Sequence, residues 1–363
     1  MSAVGAVGGA GIGGGTVLVT GGSGFVGSHL VRLLLERGYR VHATLRPMAG
    51  AVKTKPLEAM RDRYPDKLRL FEADLLTEGS FDKAMDGCRV VFHVASPFFM
   101  PETIKKGAKD VVTPALSGTR NVLAGIERTP TVVRLVFTST VGAIFGDYAD
   151  VLGMDGHVLT ERYVNTTSTP ENNPYHYAKT VAEEAAWNAA GAQDRWSMVA
   201  VNPGLILGPS LTPASESGSL FLLDELFKGY FFYGAPDFSF TVADVRDVAS
   251  AHVAAAETPG AHGRYIVARE ETYSFLQMSR ILRKHFPRNL RLPAHGLPHW
   301  AVRTLGPAFG LTPDYIRKHL GIRFTVDNRR SVNELGITYR PVEETLVEHY
   351  LTWHQHRSAR RAR

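Results

Sequence analysis

Cysteine is almost absent from this chain, since Cys88 is the single one among 363 residues. One cysteine forms no intramolecular disulfide and supplies no thiolate cluster for structural zinc. The fourteen histidines show no HExxH motif and no paired ligand spacing. These absences exclude a disulfide-stabilised scaffold, predict that no metal is bound, and favour a reducing, cytoplasmic location.

Long apolar runs and a strong overall charge are also missing. No run approaches the roughly 20 apolar residues that span a bilayer, and residues 1–15, rich in glycine and alanine, lack the basic and leucine-rich parts of a signal peptide. Arginines in the last ten residues supply most of the net charge of +6. We therefore predict disorder at 1–15, a solvated basic tail at 354–363, and neither a membrane nor a nucleic-acid partner.

A β-branched run, Thr16–Thr20, is followed by Gly21, Gly24 and Gly27 and then by an apolar helical pattern. This order predicts a dinucleotide-binding turn. The first glycine turns the chain, the second lets a pyrophosphate approach the backbone, and the third lets the helix pack on the sheet. A second GxGxxG match, at 9–14, has no strand before it and no helix after it.

The next run, Arg40–Leu45, has the pattern of a second strand. No acidic residue lies between Glu36 and Glu58, so none is available to hold the ribose 2′-hydroxyl of NAD. Arg46 stands at the strand end instead, with Lys53 nearby, and such cations suit a 2′-phosphate. The sequence therefore predicts NADP(H) as the cofactor, with a solvated basic loop as the alternative.

Further apolar runs alternate with helical patterns along the chain. They lie at Leu68–Phe71, Val90–Val94, Val132–Phe137, Met198–Val201 and Tyr265–Val267. Near-continuous apolar strands separated by helices indicate a parallel sheet that is covered on both faces. We predict an α/β fold with a Rossmann-type doubly wound parallel sheet and a smaller C-terminal substrate lobe, and we place the cofactor at the carboxyl ends of the strands.

The expected domain organisation follows from segments that are too long for simple connections. We assign residues 16–270 to the nucleotide-binding core and 271–353 to the substrate lobe. The long segments 142–173 and 204–240 are expected to contribute to that lobe.

Chemistry is indicated where Pro174 and Tyr175 begin a run of helix formers, with Lys179 one turn after the tyrosine. Residues four apart lie on one helix face. The pKa of a free phenol is about 10, and a neighbouring ammonium lowers it. Tyr175 is therefore a candidate general acid or base, whereas Tyr177 has Val181 at the same offset. An ordinary surface pair is the alternative for Tyr175 and Lys179.

A second chemical feature is the strand pattern Leu135–Thr140, which ends in three hydroxyl residues, the last two being Ser139 and Thr140. A hydroxyl group at this edge of the crevice can hydrogen-bond a substrate oxygen beside the phenol. A strand-end cap or turn is the alternative.

These motifs resemble the extended short-chain dehydrogenase/reductase family. Within it they are similar to the NADPH-dependent carbonyl reductases typified by dihydroflavonol reductase, cinnamoyl-CoA reductase and the yeast methylglyoxal/ketone reductases. The matching stretches lie between Thr16 and Trp353 and include TGGSGFVGSHL, EADLLTEGSFDKAMDGCRVVFHVASP, LVFTST, the Tyr175 helix with its AEEAAW continuation, VNPGLILGP and VADVRDVASAH. The resemblance implies an NADP-dependent oxidoreductase that acts on carbonyl or alcohol groups.

By position, the resemblance also implies roles for individual residues. Tyr175 would donate the proton, Lys179 would bind the nicotinamide ribose and lower the pKa of Tyr175, and Thr140 would polarise the carbonyl. Ser139 is the alternative to Thr140, because the offset is uncertain by one residue. The implied cofactor-binding residues, besides Tyr175 and Lys179, are Gly21, Gly24, Phe25, Val26, Gly27, Arg46, Lys53, Asp74, Leu75, Val94, Ala95, Ser96 and Pro203.

Three positions bear on the substrate and the scaffold. Asn121 occupies the place of the family's structural asparagine, with an ordinary helix-interior residue as the alternative. Phe145 stands where dihydroflavonol reductases carry a polar side chain, which speaks against a polyhydroxylated flavonoid. The segments Phe227–Tyr233 and Phe98–Met100 would line an apolar pocket or, alternatively, belong to the core.

The sequence thus predicts an NADPH-dependent enzyme that reduces an apolar or aromatic small-molecule aldehyde or ketone and acts as a monomer or homodimer. A nucleotide-sugar epimerase or dehydratase is one alternative. It is disfavoured because Val141 and Gly142 follow Thr140 where the dehydratases usually carry Asp-Glu. A non-catalytic NADP-binding sensor is the other, disfavoured because such proteins usually lose the tyrosine or the lysine.

Overall fold

The strands form one large and two small sheets in a computed structural model that describes residues 14–46, 51–97, 108–212, 217–289 and 291–361. In chain order they are β1 (Thr16–Thr20), β2 (Arg40–Leu45), β3 (Leu68–Glu72), β4 (Val90–His93), β5 (Arg134–Thr138), β6 (Val158–Leu159), β7 (Ser197–Pro203), β8 (Leu205–Leu207), β9 (Ser239–Asp244), β10 (Gly263–Val267), β11 (Thr272–Ser274) and β12 (Thr325–Val326). The large sheet has seven parallel strands in the order β3-β2-β1-β4-β5-β7-β10. The strand order reverses between β1 and β4, which opens a crevice at their carboxyl ends. The predicted Rossmann-type sheet is confirmed.

Helices cover both faces of the large sheet. In chain order they are α1 (Phe25–Glu36), α2 (Ala51–Arg63), α3 (Asp82–Met85), α4 (Thr113–Arg128), α5 (Tyr148–Val151), α6 (Pro174–Gly191), α7 (Gly218–Lys228), α8 (Val245–Glu257), α9 (Phe275–His285), α10 (His299–Leu305), α11 (Pro313–His319), α12 (Arg329–Leu335) and α13 (Val342–Arg361). Helices α1 and α8 pack together on one face, and α4 and α6 pack together on the other. The molecule therefore has a helix, sheet and helix layer at its centre.

Burial on both faces explains why the strands are apolar throughout. In β1, Val17, Leu18 and Val19 are at most 1% exposed. Val17 and Val19 pack against the α1 and α8 layer, whereas Leu18 packs on the opposite side. Strand β5 begins later than the sequence predicts, at Arg134, because Val132 N–H closes a turn on Thr129 O at 3.1 Å.

Beside the large sheet lies a second lobe, which we define as β8, β9 and β11 with α7, α9, α10, α11 and α13. Its core includes Leu223, Phe227, Phe275 and Leu346. Helix α12 does not belong to it, because Leu335 packs in the core of the large sheet. The chain after residue 271 is therefore divided between the two regions, which differs from the expected boundary.

The first eight residues of the predicted C-terminal tail continue a helix. Residues 354–361 are helical, as the last part of α13, and the Arg357 guanidinium lies 5.1 Å from the ring centroid of Trp353. This cation–π contact supports the continued helix. Residues 1–13, 362–363 and Phe98–Met100 lie outside the described residues. Within the described part of the chain, no helix is both long and apolar enough to cross a membrane.

Candidate functional site

The turn after β1 is shaped by the close approach of backbone to backbone. Gly21 has a φ of +67°, and a Cβ there would lie 3.0 Å from the Cα of Ala95. A Cβ at Gly27 would lie 2.2 Å from the carbonyl oxygen of Gly21. No side chain caps α1 at Gly24, so the N–H groups of its first turn can meet an anionic group. Gly21 and Gly27 are therefore required by backbone packing, and the uncapped N–H groups at the start of α1 are the part of the turn that fits a pyrophosphate.

Thr20 connects the carboxyl ends of β1 and β4. Its Oγ1 accepts hydrogen bonds from the N–H groups of Val94 and Ala95 at 3.1 and 3.0 Å. The same oxygen lies 3.0 Å from Nδ1 of His93. The predicted cofactor residues after β4 are therefore held next to the glycine turn.

The end of β2 lies on the other side of that turn. The N–H groups of Gly21 and Gly22 donate to Oγ1 and O of Thr44 at 3.2 and 2.8 Å. Arg46 follows two residues later and is exposed, and Lys53 is half-buried in the first turn of α2. The structure therefore places Arg46 just after the end of β2, beside the glycine turn.

Asn121 holds the loop at 74–79, which carries the residues predicted to flank an adenine. Its Nδ2 donates to the carbonyl oxygens of Leu75 and Thr77 at 3.2 and 2.7 Å. Its Oδ1 accepts the N–H of Gly79 at 3.1 Å. Asn121 lies in α4, and its side-chain amide makes these three hydrogen bonds to the loop. Its role is therefore structural.

A small cavity at the crevice brings several predicted residues together. It is lined by Leu75 from the loop after β3, by Ala95 and Ser96 from the end of β4, and by Lys179 from α6, among others. These residues are far apart in the chain. They meet because the carboxyl ends of parallel strands share one edge of the sheet.

Helix α6 begins at Pro174, as predicted. The Asn173 side chain caps it by accepting a first-turn N–H. Tyr175 is 48% exposed, whereas Lys179 is 8% exposed and donates from Nζ to the carbonyl oxygen of Thr138 at 3.3 Å. The helix thus carries a tyrosine with about half of its surface exposed and, one turn later, a buried ammonium group at the end of β5.

Desolvation dominates the titration of this pair. It raises the pKa of Tyr175 to about 12. It lowers the pKa of Lys179 to about 8, against the opposing effect of the Glu183 charge. The effect of Lys179 on the pKa of Tyr175 stays a prediction; in this structure the ammonium donates to Thr138 O. The phenol is protonated at neutral pH.

The two candidate hydroxyl groups at the end of β5 have different partners. Ser139 is 3% exposed and donates to Oε2 of Glu183. Thr140 Oγ1 accepts the N–H of Gly142 at 3.2 Å and donates to Pro203 O at 3.4 Å. A hydroxyl bond of 3.4 Å is long, so Thr140 can turn to another acceptor. The geometry favours Thr140 over Ser139 for contact with a substrate.

Phe145 belongs to an aromatic core rather than to an open pocket. It is 3% exposed, and its ring centroid lies 6.0 Å from Tyr148, 6.1 Å from His176 and 5.7 Å from Phe324. Its side chain therefore packs behind the start of α6, next to the residue that follows Tyr175. Because Phe145 is buried, the structure does not support its use as an argument against a polyhydroxylated flavonoid substrate.

The aromatic segment Phe227–Tyr233 divides into two parts. Phe227 is 1% exposed in the core of the second lobe, which matches the alternative for that residue. In the same segment Tyr230, Phe232 and Tyr233 are exposed, and so are Trp300 in α10 and Phe309 four residues after that helix. The second lobe therefore offers apolar surface as well as a packed core.

Glu183 is a residue that sequence reasoning missed. It is fully buried one turn after Lys179. Its carboxylate accepts hydrogen bonds from Ser139 Oγ, Asn202 Nδ2, Trp187 Nε1 and Arg264 Nε. The available signal was an acidic residue at helical spacing from Lys179. A helical glutamate ordinarily faces solvent, so the spacing by itself did not identify it.

The chain matches the model of the NAD dependent epimerase/dehydratase family over residues 17–268. It is 38% identical to cinnamoyl-CoA reductase CAD2 of Medicago truncatula over 283 residues, which cover 77% of this chain and 83% of that protein. It is 32% identical to dihydroflavonol 4-reductase of Gerbera hybrida, over 75% and 73% of the two chains.

The fold is also similar to a solved structure, that of Gre2 from Candida albicans in complex with NADPH. The TM-score is 0.74 at 26% identity, and the match covers 94% of this chain and 99% of that one. These matches confirm the resemblance to extended short-chain dehydrogenases/reductases. The chain belongs to the NAD dependent epimerase/dehydratase family.

Proposed function

We propose that the protein is an NADPH-dependent reductase that converts an aldehyde or a ketone to an alcohol. The observation that carries this proposal is the meeting of two motifs at one cavity. Lys179 of the Tyr-x-x-x-Lys helix lines it together with Ala95 and Ser96, which adjoin the glycine turn. The reductase relatives and the NADPH complex of the similar structure support it.

The cofactor would lie along the carboxyl ends of the strands. The glycine turn and the first turn of α1 would hold the pyrophosphate, Arg46 and Lys53 the 2′-phosphate, and the loop at Asp74 and Leu75 the adenine. Lys179 would bind the nicotinamide ribose. Bound in this way, NADPH supplies the hydride that reduces the carbonyl carbon.

Tyr175 would donate the proton to the substrate oxygen. Its pKa of about 12 keeps the phenol protonated at neutral pH. The alkoxide that develops on the substrate is the stronger base, so the transfer is favourable. Thr140 would donate a hydrogen bond to the same oxygen in exchange for its long bond to Pro203 O. The ammonium of Lys179 would stabilise the phenolate that remains.

The substrate would be a small apolar or aromatic carbonyl compound. The exposed aromatic side chains of the second lobe, among them Phe232 and Trp300, are the groups that would contact such a substrate. Cys88 is buried and free, in keeping with a reducing compartment such as the cytoplasm. We expect a monomer or a homodimer that needs no nucleic acid or membrane.

The direct test is a screen of NADPH oxidation with aldehydes, 2-ketoesters, diketones, cinnamoyl thioesters and dihydroflavonols. We expect turnover with at least one class and a higher kcat/KM for NADPH than for NADH. Failure of every class, with NADPH still bound, would argue for a non-catalytic sensor.

The assignment of the proton donor is tested by Tyr175→Phe, which removes the transferable proton and keeps the ring. We expect kcat to fall at least ~10²-fold while NADPH affinity is retained. The matched control is Tyr177→Phe, which should be nearly silent. Lys179→Met should damage both turnover and NADPH binding. Thr140→Val should lower kcat and Thr140→Ser should restore most of it, whereas near-normal turnover of Tyr175→Phe would overturn the assignment.

A further inference from the structure

The carboxylate of Glu183 joins four parts of the molecule. Oε2 accepts the hydroxyl of Ser139, at the end of β5, and the amide of Asn202, in β7, the latter at 3.1 Å. Oε1 accepts the indole N–H of Trp187, one turn further along α6, at 3.0 Å and the Nε of Arg264, in β10. Both oxygens therefore have two donors.

Further hydrogen bonds connect this network with the residues of the proposed reaction. Asn202 Nδ2 also donates to the carbonyl oxygen of Thr140 at 3.1 Å. Lys179, one turn before Glu183, donates to Thr138 O at 3.3 Å. The main chain at 138–140 is thus connected to α6 by the ammonium on one side and by the carboxylate on the other.

The geometry points to Glu183 as a positioning residue, which holds the strand end that carries Thr140 and the helix that carries Tyr175 and Lys179 in one arrangement. This inference rests on the proposed function. Glu183 acts through these residues and does not itself contact the substrate.

Stability by itself does not account for this arrangement. Glu183 is fully buried, and the Arg264 side chain is 15% exposed. A buried ion pair of this kind is often no more stabilising than well-packed apolar residues, because both charges lose their hydration. We therefore assign the pair a second role besides stability, which is to order the segments that carry Thr140 and Tyr175.

The charge of Glu183 also acts on the protonation of Lys179. The titratable groups that interact with Lys179 are Glu183, on its own helix, and His93, at the end of β4, while Arg264 lies behind Glu183. Burial lowers the pKa of His93 to about 3, so that ring is neutral. Glu183 raises the pKa of Lys179, which burial lowers to about 8. Without that carboxylate, Lys179 would lose its proton at a lower pH.

The test compares Glu183→Gln with Glu184→Gln in the full-length protein. Glu184 is the neighbouring residue and is exposed, so it provides a matched control. For Glu183→Gln we expect kcat to fall at least ~10-fold at neutral pH. The alkaline limb of the kcat profile should move to lower pH by about one unit. Glu184→Gln should match the unaltered protein in both respects.

Glu183→Gln leaves Arg264 without its buried partner, so the double variant Glu183→Gln/Arg264→Gln separates folding from positioning. We expect the double variant to recover thermal stability, keep the low kcat and keep the shifted alkaline limb. If neither variant folds, Trp187→Phe tests the inference instead, because it removes one hydrogen-bond donor to Glu183 and leaves no buried charge without a partner. It should lower kcat about fivefold, in line with one hydrogen bond.

An unaltered kcat and pH profile in a folded Glu183→Gln protein would overturn the inference, as would unaltered kcat in Trp187→Phe where that variant decides. Either result leaves the proposed reductase activity standing. Failure of the unaltered protein to reduce any carbonyl compound would instead refute the proposed function, so the two failures are distinguishable.

Discussion

The cofactor crevice is shaped by main-chain atoms, whereas the second lobe is shaped by side chains. In the crevice, main chain meets main chain, as at Gly27, where a Cβ would lie 2.2 Å from a carbonyl oxygen. In the lobe, side chains decide: the ring of Phe227 packs edge-on against His349, Tyr350 and Trp353 with centroids 5.2 to 5.5 Å apart.

This difference explains why the two regions are unequally visible in sequence. A backbone surface requires glycine at fixed spacing, because nothing larger fits, and so it produces a motif. A packed aromatic surface accepts many combinations of similar volume. A packed aromatic surface of this kind therefore leaves no fixed motif in the sequence.

The largest effect that would test the comparison is expected for Gly27→Ala. The added methyl group must displace the Gly21 carbonyl by about an ångström. A displacement of that size can weaken a precisely positioned interaction on the order of 10²-fold. We expect NADPH affinity, measured by fluorescence titration, to fall by that factor. Gly191→Ala is the control, because a Cβ there meets nothing within 4 Å. Equal NADPH affinity of the two variants would show that the turn is not a tight cradle.

A smaller effect is expected for Arg46→Asp, which replaces a cation at the end of β2 with a repelling charge. The KM for NADPH should rise at least ~10-fold, since charge-assisted hydrogen bonds contribute ~1.5–3 kcal/mol, and the KM for NADH should change little. Arg40→Asp, at the opposite end of the same strand, is the matched control. A protein that prefers NADH before any substitution would contradict the assignment.

The smallest effect on function is expected for Phe145→Leu. Because Phe145 is 3% exposed among three rings, the change should lower the free energy of unfolding by roughly 1–2 kcal/mol, measured by denaturant titration. Substrate preference and NADPH affinity should be retained. A changed substrate preference at unchanged stability would mean that Phe145 lines the pocket after all, as the sequence comparison suggested.

Much of the large sheet was predictable from sequence. The strands at Thr16, Arg40, Leu68 and Val90 begin where the apolar runs predict, because both faces of each strand are covered. The start of β5 and the course of residues 354–361 were not predictable, since a turn and a cation–π contact decide them. Both lie at the ends of elements, which a sequence pattern locates only to within a few residues.

The candidate site shows the same division. The one-turn spacing of Tyr175 and Lys179 was visible, because α6 continues from Pro174 through both residues. The desolvation that raises the pKa of Tyr175 to about 12 was not visible. Desolvation depends on what surrounds a side chain, and the sequence does not state those surroundings.

What the sequence determined by itself was therefore the glycine turn, the doubly wound sheet and the tyrosine–lysine helix, because each depends on local geometry with a fixed spacing. The tertiary structure decided that Ser139 faces Glu183 while Thr140 keeps a long, exchangeable bond. It also brought Arg264 to the carboxylate of Glu183 across 81 positions of the chain. Contacts of this kind join residues that are close only after the parallel strands have been ordered, so no local pattern contains them.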